Sequence, residues 1–216
     1  MLQAPGRVRL LGRAFRALGR VATRARPTLS RKLANLVEYG RTYPGAYLLR
    51  RGLFIACELL DVLPADVVEA GLRALEPFAH IEARMLPDPH LPYARVAALE
   101  ASLYMRNQLL RDTDWASMAW SLEVRVPLVD SVLLSSVAPM LVGSAPGAGK
   151  RALARVPQSP LPDVVARRKK TGFTTPIARW LADSPLLSRW REVPALKRDG
   201  CHWSRRLAYE LVTAEK

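Results

Sequence analysis

The sequence predicts a mostly α-helical protein. Apolar residues recur at helical spacing along much of its 216 residues, half of which are hydrophobic. Pro and Gly residues interrupt these runs at positions typical of helix ends, and convincing strands are scarce. The length is that of one sizeable domain.

Turn and helix signals alternate in the first half of the chain. Residues 1–30 form a basic, Arg-rich segment whose apolar spacing predicts an amphipathic helix, which Pro27 ends or kinks. Tyr43-Pro44-Gly45 is a turn signal. Further helices are predicted over Ser30–Tyr39 and Gly45–Leu60, from Pro64 through Leu75, and from Pro92, in the first turn, to about Leu110.

Shorter elements follow in the second half. Asp112 or Asp114 is predicted to cap a short helix. Residues Val124–Val126 are predicted to be extended, because Pro127 biases its predecessor away from the helical conformation. The remaining predictions are a helix capped by Asp130 that runs through Val137, a helix that starts at Thr175 and Pro176 and carries Trp180, and helices over Pro185–Val193 and Ser204–Ala214.

The formal charge of +14 is concentrated near the N-terminus. Residues 1–54 contain 12 Lys and Arg residues against one acidic residue, Glu38, whereas residues 55–216 contain 21 basic and 18 acidic residues. A basic segment of this kind can bind nucleic-acid phosphates or an anionic membrane surface. The first 54 residues lack a recognisable nucleic-acid-binding motif, so no specific nucleic-acid partner is predicted.

Composition also indicates the compartment. Cys57 and Cys201 lie far apart and in no metal-binding spacing, which favours reduced thiols and predicts no metal site. No uninterrupted run of about 18 apolar residues predicts a transmembrane helix, and the first residues lack the pattern of a secretory signal. A cytoplasmic location is the resulting expectation.

The loop Gly143–Lys150, GSAPGAGK, partly matches a phosphate-binding Walker A loop. That loop requires Gly, four residues, Gly-Lys, and then a Ser or Thr whose hydroxyl ligates Mg²⁺. Here the first Gly comes one position early, and Arg151 stands in place of the hydroxyl. We therefore interpret this stretch as a surface loop before a short helix.

Glu123 and Arg125 are the first candidates for chemistry. Residues two apart in an extended segment project to the same side, so these two side chains can face one cavity. A carboxylate in such a cavity can orient or deprotonate an amine nucleophile. The alternative is an ion pair that only fixes the segment next to Pro127.

The run Arg167-Arg168-Lys169-Lys170 is ordinarily a solvated basic face. A constrained turn begins directly after the run, at Gly172, and favours one lysine that faces inward. The ammonium of such a lysine, next to a phosphoryl group, compensates the negative charge that develops there. Lys170 is the candidate for this role. Asp114 and Asp130, which bracket the earlier segment, are most simply helix caps.

Two motifs resemble those of a known family. The stretch DWASMAWSLEVRVPLVD from Asp114 to Asp130 precedes the stretch RRKKTGFTTPIARWL from Arg167 to Leu181. Both resemble segments of the asparagine synthases (glutamine-hydrolysing), in the C-terminal part of the synthetase domain, and the resemblance covers roughly residues 42–181. It implies the distal helical half of an α/β fold of the adenine nucleotide alpha hydrolase-like (PP-loop) type, with the sheet largely absent. Residues 1–41 are then a basic helical segment, and residues 42–216 a partial synthetase domain.

The resemblance also implies roles for individual residues. Glu123 matches a glutamate of the site where ammonia meets the activated β-carboxylate of aspartate, and Lys170 matches a lysine of the adenylating site. Asp114 and Arg125 become candidate substrate-binding residues. The implied cofactors are ATP and Mg²⁺, and the implied substrates are aspartate, or a related carboxylate, and ammonia from glutamine. Trp115 departs from the motif, which usually has Arg at that position.

Two parts of the family's machinery do not occur in the sequence. The glutaminase nucleophile, a Cys just after the initiator Met, is missing because the chain begins Met1-Leu2, and no Ser-Gly-Gly-x-Asp-Ser loop for pyrophosphate occurs. We therefore expect an isolated chain that is inactive and needs a chain with the missing nucleotide-binding part. An exposed apolar face that includes Leu53, Phe54 and Ile55 is expected where the sheet would pack. The alternative is a non-catalytic remnant that binds anionic partners through the basic segment.

Overall fold

The structure, a computed structural model, describes residues 35–141, 152–169 and 175–214. These residues are helical or irregular and contain no strand, which confirms the prediction of a mostly helical protein. The chain divides into two compact units. Unit 1 comprises the residues up to Ala83 and those from Thr174 onward, and unit 2 comprises Arg84–Phe173.

The helices of unit 1 are mostly short. The first five are α1 (Leu36–Tyr39), α2 (Tyr43–Arg51), α3 (Ala56–Leu59), α4 (Ala65–Leu75) and α5 (Pro77–Glu82). After a 3-10 helix at Ala83–Met85, unit 2 contains α6 (Pro92–Leu99), a π-helical stretch (Glu100–Leu110), α7 (Arg111–Met118), a 3-10 helix (Pro127–Val129), α8 (Ser131–Leu141) and α9 (Asp163–Ala166). The chain then returns to unit 1 with α10 (Ile177–Asp183), a 3-10 helix (Arg189–Glu192), α11 (Pro194–Lys197) and α12 (Trp203–Ala214).

The start of α2 corrects one local prediction. Tyr43-Pro44-Gly45 is the first turn of a helix and not a separate turn, because Thr42 caps it: Thr42 Oγ1 accepts a hydrogen bond from Gly45 N–H at 3.2 Å. Pro44 is tolerated there, since N–H groups of a first turn have no partner within the helix. The chain leaves the helical conformation at Gly52, so the single helix predicted over Gly45–Leu60 is two helices.

The core of unit 1 also corrects the predicted apolar face. Tyr39, Leu49 and Ile55 form a buried cluster, and Ile55 is only 1% exposed. Leu53 is exposed as predicted, whereas Phe54 is half-buried. The remaining buried apolar side chains in the described part of unit 1 are Pro44, Val68, Ile81, Leu181, Trp190 and Leu196.

Helix α12 connects distant parts of unit 1 through polar contacts. Glu210 is buried, and its Oε1 accepts a hydrogen bond from the backbone N–H of Trp190 at 2.7 Å. Glu58, also buried, accepts one from Arg205 Nη2 at 2.8 Å. Arginines also donate to carbonyls in the last turns of α12, α10 and α11: Arg189 to Thr213, Arg191 to Ala182, and Arg206 to Leu196.

Two predicted helix boundaries, one in each unit, are wrong. Residues 92–118 are continuously helical through α6, the π-helical stretch and α7, so Asp112 and Asp114 lie inside a helix and cap nothing. Leu110, just before α7, is itself helical (φ −69°, ψ −44°), and a cap requires a non-helical residue there. The helix predicted over Pro185–Val193 is reduced to the 3-10 helix Arg189–Glu192.

Asp130 caps α8 as predicted. Its Oδ1 accepts a hydrogen bond from Leu133 N–H at 2.8 Å, and its backbone is extended (φ −64°, ψ 133°). The helix continues past Val137 to Leu141. This cap fixes where the segment with Glu123 and Arg125 re-enters helical structure.

Replacing Asp130 by Ala is therefore expected to lower the free energy of unfolding by about 1 kcal/mol, because one amide of the first turn loses its acceptor. Asp130→Ser, which keeps a short side-chain acceptor, is expected to lose no more than a few tenths of a kcal/mol. Urea unfolding followed by far-UV circular dichroism measures both. Equal losses in the two variants would show that the cap does not matter.

The Asp88 carboxylate, just before α6, accepts several hydrogen bonds. Asp88 Oδ1 accepts hydrogen bonds from His90 N–H at 2.9 Å and Arg95 Nε at 2.8 Å, and Oδ2 accepts one from Arg95 Nη2 at 2.6 Å. The side-chain hydrogen bonds from Arg95, followed by the backbone hydrogen bond from His90, hold the pKa of the Asp88 carboxyl well below its ordinary value of 3.8. The carboxylate thus joins the loop to the first turn of the helix.

This pKa predicts how stability depends on pH. Because the folded-state pKa is depressed, the contribution of Asp88 is present above pH 3.8 and is lost as the pH falls below that value towards the folded-state pKa. Asp88→Asn is expected to be less stable than the parent chain at pH 7, and the difference is expected to narrow between pH 4 and pH 2. Urea midpoints at several pH values measure it. A difference independent of pH would contradict the assignment.

Candidate functional site

The segment between α7 and α8 leaves its helix through a defined turn. Ser121 N–H donates to the Met118 carbonyl at 3.0 Å, and Leu122 N–H donates to the Ser117 carbonyl at 3.0 Å. Ser121 has a left-handed backbone conformation (φ 56°), as expected at this position of a Schellman motif. A non-Gly residue adopts that conformation at a cost of about 1 kcal/mol, so the exit point is set by specific backbone hydrogen bonds.

Glu123 and Arg125 lie in the stretch that follows, where residues 122–126 are neither helix nor turn. Arg125 Nε lies 3.0 Å from Glu123 Oε1, so the two side chains project to the same side. Their side chains are 72% (Glu123) and 84% (Arg125) exposed. An exposed ion pair contributes about 1 kcal/mol at most, so the pair is a weak stabiliser, and both groups remain accessible to a ligand.

The other predicted site residues are not brought to this pair within the described residues. Asp114 lies on α7 with an exposed side chain, and its carboxylate makes no hydrogen bond or ion pair to any residue that the structure describes. Lys170 lies outside the described residues, as does the glycine-rich loop at 143–150. The neighbouring Lys169 is exposed.

A contact between Arg111 and Trp115 was not predicted. The Arg111 guanidinium carbon lies 4.9 Å from the centroid of the Trp115 ring, and the indole is exposed on α7. The pair is one helical turn apart, so its i, i+4 spacing is the sequence signal that could have identified it. The Arg111 guanidinium therefore lies over the ring of Trp115, and Trp115 stands at the position where the motif usually has Arg.

The acidic residues of the described segments do not form a metal site. Among residues 35–141, 152–169 and 175–214, no three His, Cys, Asp or Glu side chains are grouped so that they could hold a metal ion. Within the same ranges, no helix combines the length and the apolar character needed to cross a membrane.

Comparison with protein families identifies the family to which the chain belongs. The family model for asparagine synthase matches residues 6–201, which include both motifs and all four candidate site residues. The chain belongs to the asparagine synthase family. In this asparagine synthase family member the matched range includes the segment with Glu123 and Arg125, and the family membership expected from the two motifs is confirmed.

The curated relatives are much longer proteins. The chain is 35% identical over 89 residues to asparagine synthetase [glutamine-hydrolyzing] 1 of Bacillus subtilis (strain 168), a match covering 40% of this chain and 14% of the relative. It is 33% identical over 98 residues to putative asparagine synthetases [glutamine-hydrolyzing] of Mycobacterium bovis and Mycobacterium tuberculosis, covering 44% of this chain and 15% of each relative. No solved structure matches. The matched part of the chain thus spans about a seventh of the length of these relatives.

Proposed function

We propose that this chain is the distal part of the synthetase domain of an ATP-dependent carbon–nitrogen ligase. The reaction would adenylate the β-carboxylate of aspartate, or a related carboxylate, and then transfer ammonia derived from glutamine to give asparagine. The observation that carries the proposal is the family match over residues 6–201 together with the Glu123–Arg125 pair, which projects to one side of a non-helical segment.

Each candidate residue has a role suited to its chemistry. Glu123 would accept a proton from, or orient, the attacking ammonia, for which an accessible carboxylate is required. Arg125 can bind a substrate carboxylate through paired N–H donors, and Asp114 can accept hydrogen bonds from a substrate amino group. Lys170 would neutralise charge that develops on the phosphoryl group of ATP.

ATP and Mg²⁺ are the cofactors that the family implies. The described residues contain no group of three His, Cys, Asp or Glu side chains that could hold a metal ion, and the sequence contains no Ser-Gly-Gly-x-Asp-Ser loop. We propose that a chain carrying the nucleotide-binding loop completes the site, and we expect the isolated chain to be inactive. We further propose that residues 1–41 form a basic segment distinct from the synthetase part at 42–216, and that the protein acts in the cytoplasm.

A graft tests this proposal. In the graft, the whole chain replaces the corresponding part of the Bacillus subtilis relative, and asparagine is measured after incubation with aspartate, ATP, Mg²⁺ and ammonium or glutamine. The graft is expected to form asparagine, whereas the isolated chain is expected to form none. A folded graft that binds ATP but forms neither adenylate nor amide would contradict the proposal.

A second candidate function rests on charge. The 12 basic residues against one acidic residue in residues 1–54 favour binding to anionic partners by a non-catalytic remnant. A salt titration of binding to duplex DNA and to anionic vesicles separates the two candidates. Binding that persists at moderate salt, together with an inactive graft, would favour the remnant.

A further inference from the structure

Helix α4 and the start of α5 carry an exposed apolar stripe. Val67, Gly71 and Leu75 are spaced four residues apart along α4 and therefore share one side of the helix. Val67 is 40% exposed and Leu75 is 59% exposed, and Phe78, in the first turn of α5, is 44% exposed. Val68, by contrast, is buried, so α4 packs on unit 1 with another side. The stripe is thus a second apolar side of the same helix.

Gly71 lies at the centre of this stripe, where the described residues give no reason for a glycine. Its position is inside a regular helix, and a Cβ placed there would meet no atom of the described residues within 4 Å. Glycine weakens the interior of a helix relative to alanine. A glycine is useful at this point if the backbone of another segment approaches the stripe too closely for a side chain.

The region around the stripe is acidic. Residues 55–83 contain six acidic residues and one basic residue. Two of the six, Glu58 and Glu69, are paired with arginines. Three more are exposed and form no ion pair with a residue that the structure describes: Asp66, Glu76 and Glu82. A segment that covers this surface must therefore combine apolar side chains with positive charge.

Residues 1–34, which lie outside the described residues, have this composition. They contain nine Lys and Arg residues and no acidic residue. Leu11, Phe15 and Leu18 follow the i, i+4, i+7 spacing of one apolar helix side. The chain therefore contains both a basic apolar segment and an acidic apolar surface that complements it.

The described chain begins next to the stripe. Asn35, its first residue, is 5% exposed, and α1 follows directly. The ring centroid of Tyr39, at the end of α1, lies 5.7 Å from that of Phe78. Residues 1–34 are therefore tethered beside α5, and they are long enough to follow α4 along its length of about 16 Å. A short tether gives an attached segment a local concentration of the order of millimolar.

We propose that residues 1–34 dock on the exposed side of α4 and on the start of α5 in their own chain. Their apolar side chains would cover Val67, Leu75 and Phe78, and their arginines would lie against the exposed carboxylates. This inference does not depend on the proposed ligase function. It bears on the second candidate function, because an anionic partner must then compete with these carboxylates for the same arginines. The contact is therefore a brake on binding to anions.

Limited trypsin digestion of the full chain tests the docking. Trypsin cleaves after Lys and Arg, so cleavage within residues 1–34, followed by mass spectrometry, reports how often that segment is uncovered. Glu76→Lys/Glu82→Lys places like charges opposite the arginines and is expected to speed this cleavage at least about tenfold over the parent chain. Glu192→Lys/Asp199→Lys is the matched control, since it changes the net charge equally at two exposed positions. Equal cleavage rates in the two variants would overturn the proposal.

Gly71→Ala provides a second test with a result of opposite sign in two backgrounds. In Glu76→Lys/Glu82→Lys, where the segment is released, the added methyl meets open space and is expected to raise the urea midpoint, as alanine does in an exposed helix interior. In the parent chain the methyl would collide with the docked segment. There the midpoint is expected not to rise, and cleavage within residues 1–34 is expected to speed up at least about threefold. An equal rise of the midpoint in both backgrounds would overturn the docking at Gly71.

Binding to anions tests the brake itself. Glu76→Lys/Glu82→Lys is expected to bind duplex DNA at least about fivefold more tightly than Glu192→Lys/Asp199→Lys, which has the same net charge. Equal affinities of the two variants would show that no brake exists. Light scattering and digestion of the parent chain over a range of concentrations separate the two sources of the segment. Cleavage that slows as the concentration rises, together with a dimer mass, would assign the segment to a second copy and overturn docking within one chain.

Discussion

Glu123→Gln is expected to lower asparagine formation by the graft about 10²–10⁴-fold, the range typical of losing a general base. Glutamine keeps the shape of the side chain and one acceptor oxygen but cannot take a proton at neutral pH. The carboxylate is accessible, and its partner Arg125 lies at 3.0 Å, so the change removes a charge without opening a buried cavity. Amide formation and pyrophosphate release are measured separately.

The two readouts separate the two proposed steps. If Glu123 acts on ammonia, Glu123→Gln should impair amide formation more than adenylate formation, whereas Lys170→Met should impair adenylate formation itself. Glu69→Gln is the matched control, because Glu69 is similarly exposed (74%) and also paired with an arginine, Arg73, at 2.6 Å. A Glu123→Gln graft as active as the Glu69→Gln graft would remove Glu123 from the site.

Glu58→Ala is expected to lower the free energy of unfolding by about 3 kcal/mol. Glu58 Oε2 accepts hydrogen bonds from Ile55 N–H at 3.1 Å and from Arg205 Nη2 at 2.8 Å, with side-chain exposures of 5% for Glu58 and 23% for Arg205. Removal of the carboxylate leaves a largely buried guanidinium without a counter-charge and an amide next to the core without an acceptor. Urea unfolding followed by tryptophan fluorescence measures the loss.

The exposed Glu69–Arg73 ion pair again provides the control. Glu69→Ala removes a carboxylate from an arginine pair of similar length on the surface of α4, and it is expected to cost no more than about 0.5 kcal/mol. A double-mutant cycle with Glu58→Ala and Arg205→Ala isolates the coupling between the two partners. Equal losses for Glu58→Ala and Glu69→Ala would mean that burial adds nothing to the pair.

Local features were predictable from the sequence because their physics is short-range. The Asp130 cap, the start of α6 at Pro92 and the helix ending at Ala214 all depend on residues within one or two turns of each other. The side-by-side placement of Glu123 and Arg125 is of the same kind, since it follows from strand-like alternation. The prediction that Asp112 or Asp114 is a cap was wrong, because both residues lie inside a continuous helix and no helix begins there.

The sequence by itself determined the family, the two motifs and the chemical groups available at the candidate site. Only the tertiary structure decided that Ile55 is buried and that Glu58 pairs with Arg205, a residue 147 positions away. It also decided that Leu53 is exposed whereas the adjacent Phe54 is half-buried. The physical reason is that periodicity states which side of an element is apolar, whereas burial depends on which distant element packs against that side.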